Sequence, residues 1–330
     1  MTVELATTAS GWQPVLRRFV RQGNQSLGGR VSLLAALFGL FLALALWVGA
    51  DPLPRSAWQE LGLSSDTPGL RRVYADEADG LERIFDEHDY RLAGLQAAGA
   101  ARVPRLAVSA LPRDMESIRD SEARKALFLR TLLPLILQVN AELRQARAKV
   151  IAALDARAAG RLGATDALWL EAVAEWYGAE PGNAADLLSR IDVVPPSLAL
   201  AQAAQESGWG TSRFAQNANA LYGQRAWGAD AEGLKPSEAK RQDFRVRSFP
   251  DLLSGVRSYL HNLNSHRAYA GLRAQRARAR ALGAPLSALN LVGGLSSYSE
   301  EGKDYVRALS ELIESNELQT LDAVRLRPRR

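Results

Sequence analysis

Residues 195–215 read PPSLALAQAAQESGWGTSRFA. Pro195 and Pro196 suit a helix start, where a missing N–H costs little. Leu198 to Gln205 continue that helix, and Gly208 and Gly210 stop it. Glu206 therefore stands near the C-terminal end of an alanine- and leucine-rich helix, where packing alone has no need of a carboxylate. There it feels the negative end of the helix dipole and apolar neighbours such as Trp209. Both disfavour the charged form and push the carboxyl up. A carboxylic acid that keeps its proton near neutral pH suits the protonation of a departing glycosidic oxygen. The spacing fits a solvated glutamate at a helix end equally well.

Working upstream, Leu129, Leu132, Leu133, Ile136, Leu143, Val150 and Leu154 recur every three or four residues, which predicts a helix between 117 and 159. Pro134 is expected to end or kink it. Shorter helices are expected over 166–177 and 184–191, separated by the loop GAEPGN. Strand-like alternation is scarce throughout, so the class expected is mainly α.

Toward the N-terminus, residues 31–50, VSLLAALFGLFLALALWVGA, carry no charge. Twenty residues rising about 1.5 Å each span a hydrocarbon core of about 30 Å. Arg17, Arg18, Arg21 and Arg30 precede the run against one acid, Glu4. That bias predicts a cytoplasmic N-terminus (1–30), a single transmembrane anchor (31–50) in the inner membrane and a periplasmic remainder. Pro52, Pro54, Ser64, Ser65, Pro68 and Gly69 then mark a tether, followed by polar, exposed helices to residue 102.

The 330 residues contain no cysteine, which excludes disulfides and thiolate metal sites. Lys plus Arg number 41 against 36 for Asp plus Glu. The excess is small and the basic residues do not interleave with aromatics, so no nucleic-acid partner is expected. His261 and His266 are five apart, on different helix faces, and imply no metal pair. Arg273, Arg276, Arg278 and Arg280 read as a solvated basic face that could attract carboxylates. Arg325, Arg327, Arg329 and Arg330 read as a frayed basic tail (319–330).

LAQAAQESGWGTSRFA followed by NANALYG resembles the N-acetylglucosaminidases of glycoside hydrolase family 73. YLHNLNSHRAYAGLR and GLSSYSEEGKDYV resemble later segments of its Bax-like branch, and RDSEARKALFLRTLLPLILQVNAEL the helical region before its catalytic part. The likeness covers roughly 103–318 and leaves out the anchor and tether. It implies an α+β lysozyme-like fold, with a helical lobe and a small β-hairpin lobe. A helical region (103–191) would precede the glucosaminidase domain (192–318). It implies peptidoglycan glycan strands as the partner, cleaved on the reducing side of N-acetylglucosamine, with no cofactor or metal. No protein partner is named by it.

Carried over residue by residue, the resemblance makes Glu206 the catalytic acid and Tyr298 a tyrosine lining the catalytic centre. Trp209 and Tyr222 become aromatics near the cleft, where a flat ring suits a sugar face. His261 is expected to bind substrate. The family's second carboxylate precedes an aromatic-rich strand. Aligning FRVRSF with that strand puts Glu238 nearest the expected position and Asp243 second. The stretch is short here, so either the second acid or the sugar's own 2-acetamido group is left to complete the reaction. Two other readings stay open: lytic transglycosylase, and a catalytically weak glycan-binding scaffold.

Overall fold

The computed structural model describes residue 61 and residues 69–97, 101–227, 233–235, 244–299 and 302–328. The anchor expected at 31–50, Glu238 and Asp243 lie outside the described residues. What is described is mostly helical.

The longest element is α3, Ser121–Ala158, following β1 (Arg71–Val73), α1 (Ala78–Glu87), α2 (Leu92–Ala97), β2 (Arg102–Val103) and β3 (Leu106–Val108). Asp120 caps α3 by accepting from the N–H groups of Glu122 and Ala123, at 2.9 and 3.3 Å. Contrary to expectation, the helix runs on through Pro134. A proline leaves the carbonyl four residues back without its helical donor. That carbonyl is Arg130 O, and Tyr90 Oη donates to it at 3.1 Å. α3 is long and apolar enough to cross a membrane, yet 89% of its most apolar window is buried inside the fold. It is the central core helix.

The segment before α3 is not an exposed appendage. β1 pairs in parallel with β3. Leu81 and Phe85 of α1 are fully buried, as is Tyr90 at 1% exposure. Leu61, within the expected tether, is also buried, and its carbonyl accepts from Trp169 Nε1 at 2.6 Å.

α4 (Ala164–Trp176) and α5 (Ala184–Arg190) lead into α6, Pro196–Ser207. Ten of the twelve α6 residues are buried, leaving Gln205 exposed and Glu206 half-buried. Its alanines let α3, α11 (Lys303–Ser315) and the 3₁₀ turn Leu318–Ala323 close around it. Gly208, Trp209 and Gly210 all take left-handed backbone conformations, which end the helix abruptly. At Gly210, φ is +82° and an added Cβ would stand 2.8 Å from Leu111 Cδ1 and 3.0 Å from Phe128 Cδ2, so glycine is favoured there.

After α7 (Arg213–Ala218), β4 (Arg225–Trp227) and β5 (Phe244–Val246) pair antiparallel, with Ala226 opposite Arg245. Leu234 bridges to Val246. α8 (Leu252–Ser265), α9 (Ala270–Ala281) and α10 (Ala288–Leu291) complete the chain up to α11.

Two ion-pair systems tie the helices together. Glu142 of α3 and Arg257 of α8 form a buried bidentate pair, at 2.7 and 3.0 Å. The arginine run of α9 is only in part the solvated face expected, since Arg278 and Arg280 are exposed but Arg273 and Arg276 are buried. Arg276 is fully buried, with its guanidinium on the carbonyls of Ser189, Arg190, Asp192 and Val193 at the end of α5. Arg273 is buried on the carbonyls of Leu263 and His266. Arg280 forks onto the Asp192 carboxylate. Burial acts to raise the Asp192 carboxyl, but Arg280, Arg276 and Arg147 outweigh it and hold the group below the usual carboxylate range. A guanidinium has five donors, so it can close several orphan helix-end carbonyls at once.

The expected frayed tail is ordered as far as residue 328. Leu318, Leu321 and Val324 are buried, and β6 (Arg325–Leu326) pairs in parallel with β2. Asp322 accepts from Ser197 N and Ser197 Oγ, both at 2.8 Å, at the first turn of α6.

Candidate active site

Glu206 projects from the last turn of α6 into a ring of tyrosines. Tyr305 Oη, from the first turn of α11, donates to Glu206 Oε1 at 2.8 Å. Gln202 sits one turn before Glu206 on the same helix face, and its Nε2 donates to Tyr305 Oη at 2.9 Å. Tyr259 Oη of α8 donates to Gln202 Oε1 at 2.5 Å. A Cβ added to Gly223 would stand 3.3 Å from Glu206 Oε2, so that glycine leaves room beside the carboxylate.

Tyr298 is half-buried in the turn before α11. Its hydroxyl donates to the carbonyl of Tyr222 at 2.8 Å, and its ring stacks on Tyr305 with centroids 5.6 Å apart. Tyr269 leans on the other side of Tyr298 at 5.7 Å. Burial first, and then the negative charge of Glu206, push the Tyr298 and Tyr305 hydroxyls up well beyond the ordinary tyrosine value. Burial does most of the same at Tyr259 and Tyr269, with a smaller push from Glu206. All four therefore remain protonated donors at any physiological pH.

The other candidates are placed less simply. Trp209 is half-buried, with its ring edge-on to Phe128 at 5.8 Å and Lys125 Nζ 5.5 Å from its centroid. Tyr222 is not an open cleft aromatic. Its ring is 2% exposed and stacks on Tyr259 at 3.7 Å, so it presents only its backbone to Tyr298. His261 is buried against Trp176, at 4.7 Å, and Tyr177, at 5.2 Å. It lies two residues, roughly 200° of helix, from Tyr259. Burial lowers its imidazole to about 4, so it is a neutral packing residue there and not the substrate ligand expected. No group of three or more potential metal ligands occurs among the described residues.

The sequence reading missed Gln202, Tyr259, Tyr269 and Tyr305. Gln202 carried one faint cue, its place four residues before Glu206 on the same helix face. Tyr305 falls inside GLSSYSEEGKDYV, the segment already singled out for Tyr298.

Comparison with known proteins gives the family. Residues 182–318 match the glucosaminidase family, described as mannosyl-glycoprotein endo-beta-N-acetylglucosaminidase. The chain is also similar to Protein bax of Escherichia coli (strain K12). The two are 31% identical over 215 residues, covering 63% of this chain and 75% of that protein. No solved structure matches.

Proposed function

The chain belongs to the Bax-like glucosaminidases of glycoside hydrolase family 73, and from that premise we propose that it hydrolyses peptidoglycan glycan strands at the β-1,4 bond on the reducing side of N-acetylglucosamine, with Glu206 as general acid in a lysozyme-like arrangement. The observation that carries this reading is the setting of Glu206. It is a half-buried carboxyl at the C-terminal end of a buried helix, held by one tyrosine hydroxyl and walled by others. A group so placed can hold a proton for the leaving sugar oxygen, and the half-buried ring of Tyr298 beside it offers a flat surface for a sugar face. Glu238, with Asp243 as the next choice, both between β4 and β5 in sequence, supplies or orients the attacking water. If neither does so, the 2-acetamido group of the substrate acts as the nucleophile. We further propose that residues 31–50 anchor the chain in the inner membrane, with the catalytic part in the periplasm.

The deciding experiment digests purified peptidoglycan with the full-length chain, reduces the products with borohydride and weighs the fragments. A glucosaminidase adds water and leaves reducible N-acetylglucosamine ends, the outcome expected. Anhydro-muramic ends, one water lighter and not reducible, would identify a lytic transglycosylase. Retention on insoluble glycan with no fragments released would identify a scaffold.

A further inference from the structure

Three side chains stand in line behind Glu206, and the direction of their hydrogen bonds can be worked out. Gln202 and Tyr259 are fully buried and Tyr305 is 2% exposed. Leaving a buried polar group without a partner is costly, so the amide and the two hydroxyls must be oriented to satisfy the whole set. With Gln202 Oε1 facing Tyr259, every proton has an acceptor. Tyr259 donates to Oε1, Nε2 donates to Tyr305, and Tyr305 donates to Glu206 Oε1. With the amide turned over, Nε2 would donate to Tyr259, whose own proton would then find no acceptor among the described residues. Tyr305 would donate back to Gln202 and would need a proton from Glu206 Oε1.

We propose that Tyr259, Gln202 and Tyr305 form a one-way hydrogen-bond relay that holds the transferable proton of Glu206 on Oε2, the oxygen facing Gly223. This rests on the reading of Glu206 as general acid. Because Oε1 already accepts from Tyr305, the acid proton sits on the other oxygen. As the C1–O bond breaks, its electron pair stays with the departing sugar oxygen, which takes the proton from Oε2. The water that attacks C1 adds its oxygen there and returns a proton to the solvent or to Glu206. In the interval Glu206 is an anion, and the Tyr305 hydroxyl stabilises it at Oε1. Tyr305 and Gln202 are thus positioning residues, acting through Glu206 without touching the substrate. Among the described residues, the titratable groups near Glu206 include Tyr305 of α11, Tyr298 of the preceding turn, Tyr269 after α8 and Tyr259 of α8, and each is a neutral hydroxyl.

The test compares Tyr305→Phe, Gln202→Leu and the double variant in the full-length chain, reading kcat, KM and the pH profile of glycan cleavage. Loss of a donor to the anion makes Glu206 keep its proton to higher pH. The alkaline limb of the profile should therefore move upward in both single variants. kcat should fall about tenfold, the scale of one hydrogen bond to a charged group, while KM stays near wild type. The double variant should be no worse than Tyr305→Phe. Gln202→Leu probes the same relay one bond further back, should Tyr305→Phe fold poorly. A lower kcat with the limb unmoved would reduce these residues to packing. A limb moved to lower pH would reverse the polarity, and additive losses would break the relay into independent contacts. Each of these overturns the proposal. Glu206→Gln, run alongside, separates the two levels. Full activity in that variant removes the general-acid reading itself, whatever the relay variants do.

Discussion

Gly223 has a φ of +60°, and a Cβ there would press on Glu206 Oε2 at 3.3 Å. Gly223→Ala therefore meets both backbone strain, about 1–2 kcal/mol for a left-handed L-residue, and crowding of the reactive oxygen. Its kcat/KM should drop roughly tenfold with KM little changed, because a small displacement of a catalytic group costs rate before it costs binding. Glu206→Gln keeps the shape and removes the donor, so cleavage measured by released reducing ends should fall at least about a hundredfold. At this scale Glu206 was singled out by the family likeness, since its position at the end of an apolar helix fits a solvated glutamate equally well. Gln202 was not, since a lone amide on a helix reads as a surface residue until the neighbouring helix brings Tyr305 over it. Tyr222 misled for the opposite reason. Its aromatic type suits a sugar, but the parallel ring of Tyr259 buries it.

The two ends of α6 are governed by different acids. Asp322 holds the N-terminal turn through Ser197. Burial pushes it up, the two bonds from Ser197 bring it only partway back down, and it settles at about 6. Its folded value lies above that of an unfolded carboxylate, so the folded state binds this proton more tightly. The stabilisation from proton binding is complete below about pH 4 and is lost as pH rises through about 6, a change on the order of 2–3 kcal/mol. Asp322→Asn keeps an acceptor for Ser197 N–H and removes the titration. Its thermal midpoint should vary less between pH 4 and 7 than that of wild type. The α3 periodicity was readable from leucine spacing, whereas its passage through Pro134 was not, because the donor that replaces the lost N–H is Tyr90, forty-four residues earlier. Arg273 and Arg276 of α9 were misread as solvated for the same kind of reason. Their partners are carbonyls at the ends of α8 and α5, which composition cannot reveal.

Across the whole molecule, the Glu142–Arg257 pair fastens the helix that precedes the site to the helix that carries Tyr259. Arg257→Ala strands a buried carboxylate, and stability measured by urea unfolding should fall by about 3–5 kcal/mol. Orientation in the bilayer is checked separately. A C-terminal reporter that works only outside the cytoplasm should be active, and one that works only inside should be silent. The mainly α class and the antiparallel β4–β5 pair were legible from sparse alternation and family likeness. The small parallel pairs β1–β3 and β2–β6 were not, since strands of two or three residues joined across long stretches of chain leave no local pattern.

Leu61 closes the molecule in a way that bears on where it can work. Its carbonyl is held by the Trp169 indole, so ten residues, 51–60, separate the proposed anchor from this fixed point in sequence. Ten residues fully stretched reach about 35 Å. An anchor at 31–50 would then act as a short leash, holding the proposed hydrolase to a thin shell above the bilayer and to the strands that enter it. Lengthening the leash with a flexible insert at residue 55 would widen the shell without altering turnover on soluble fragments.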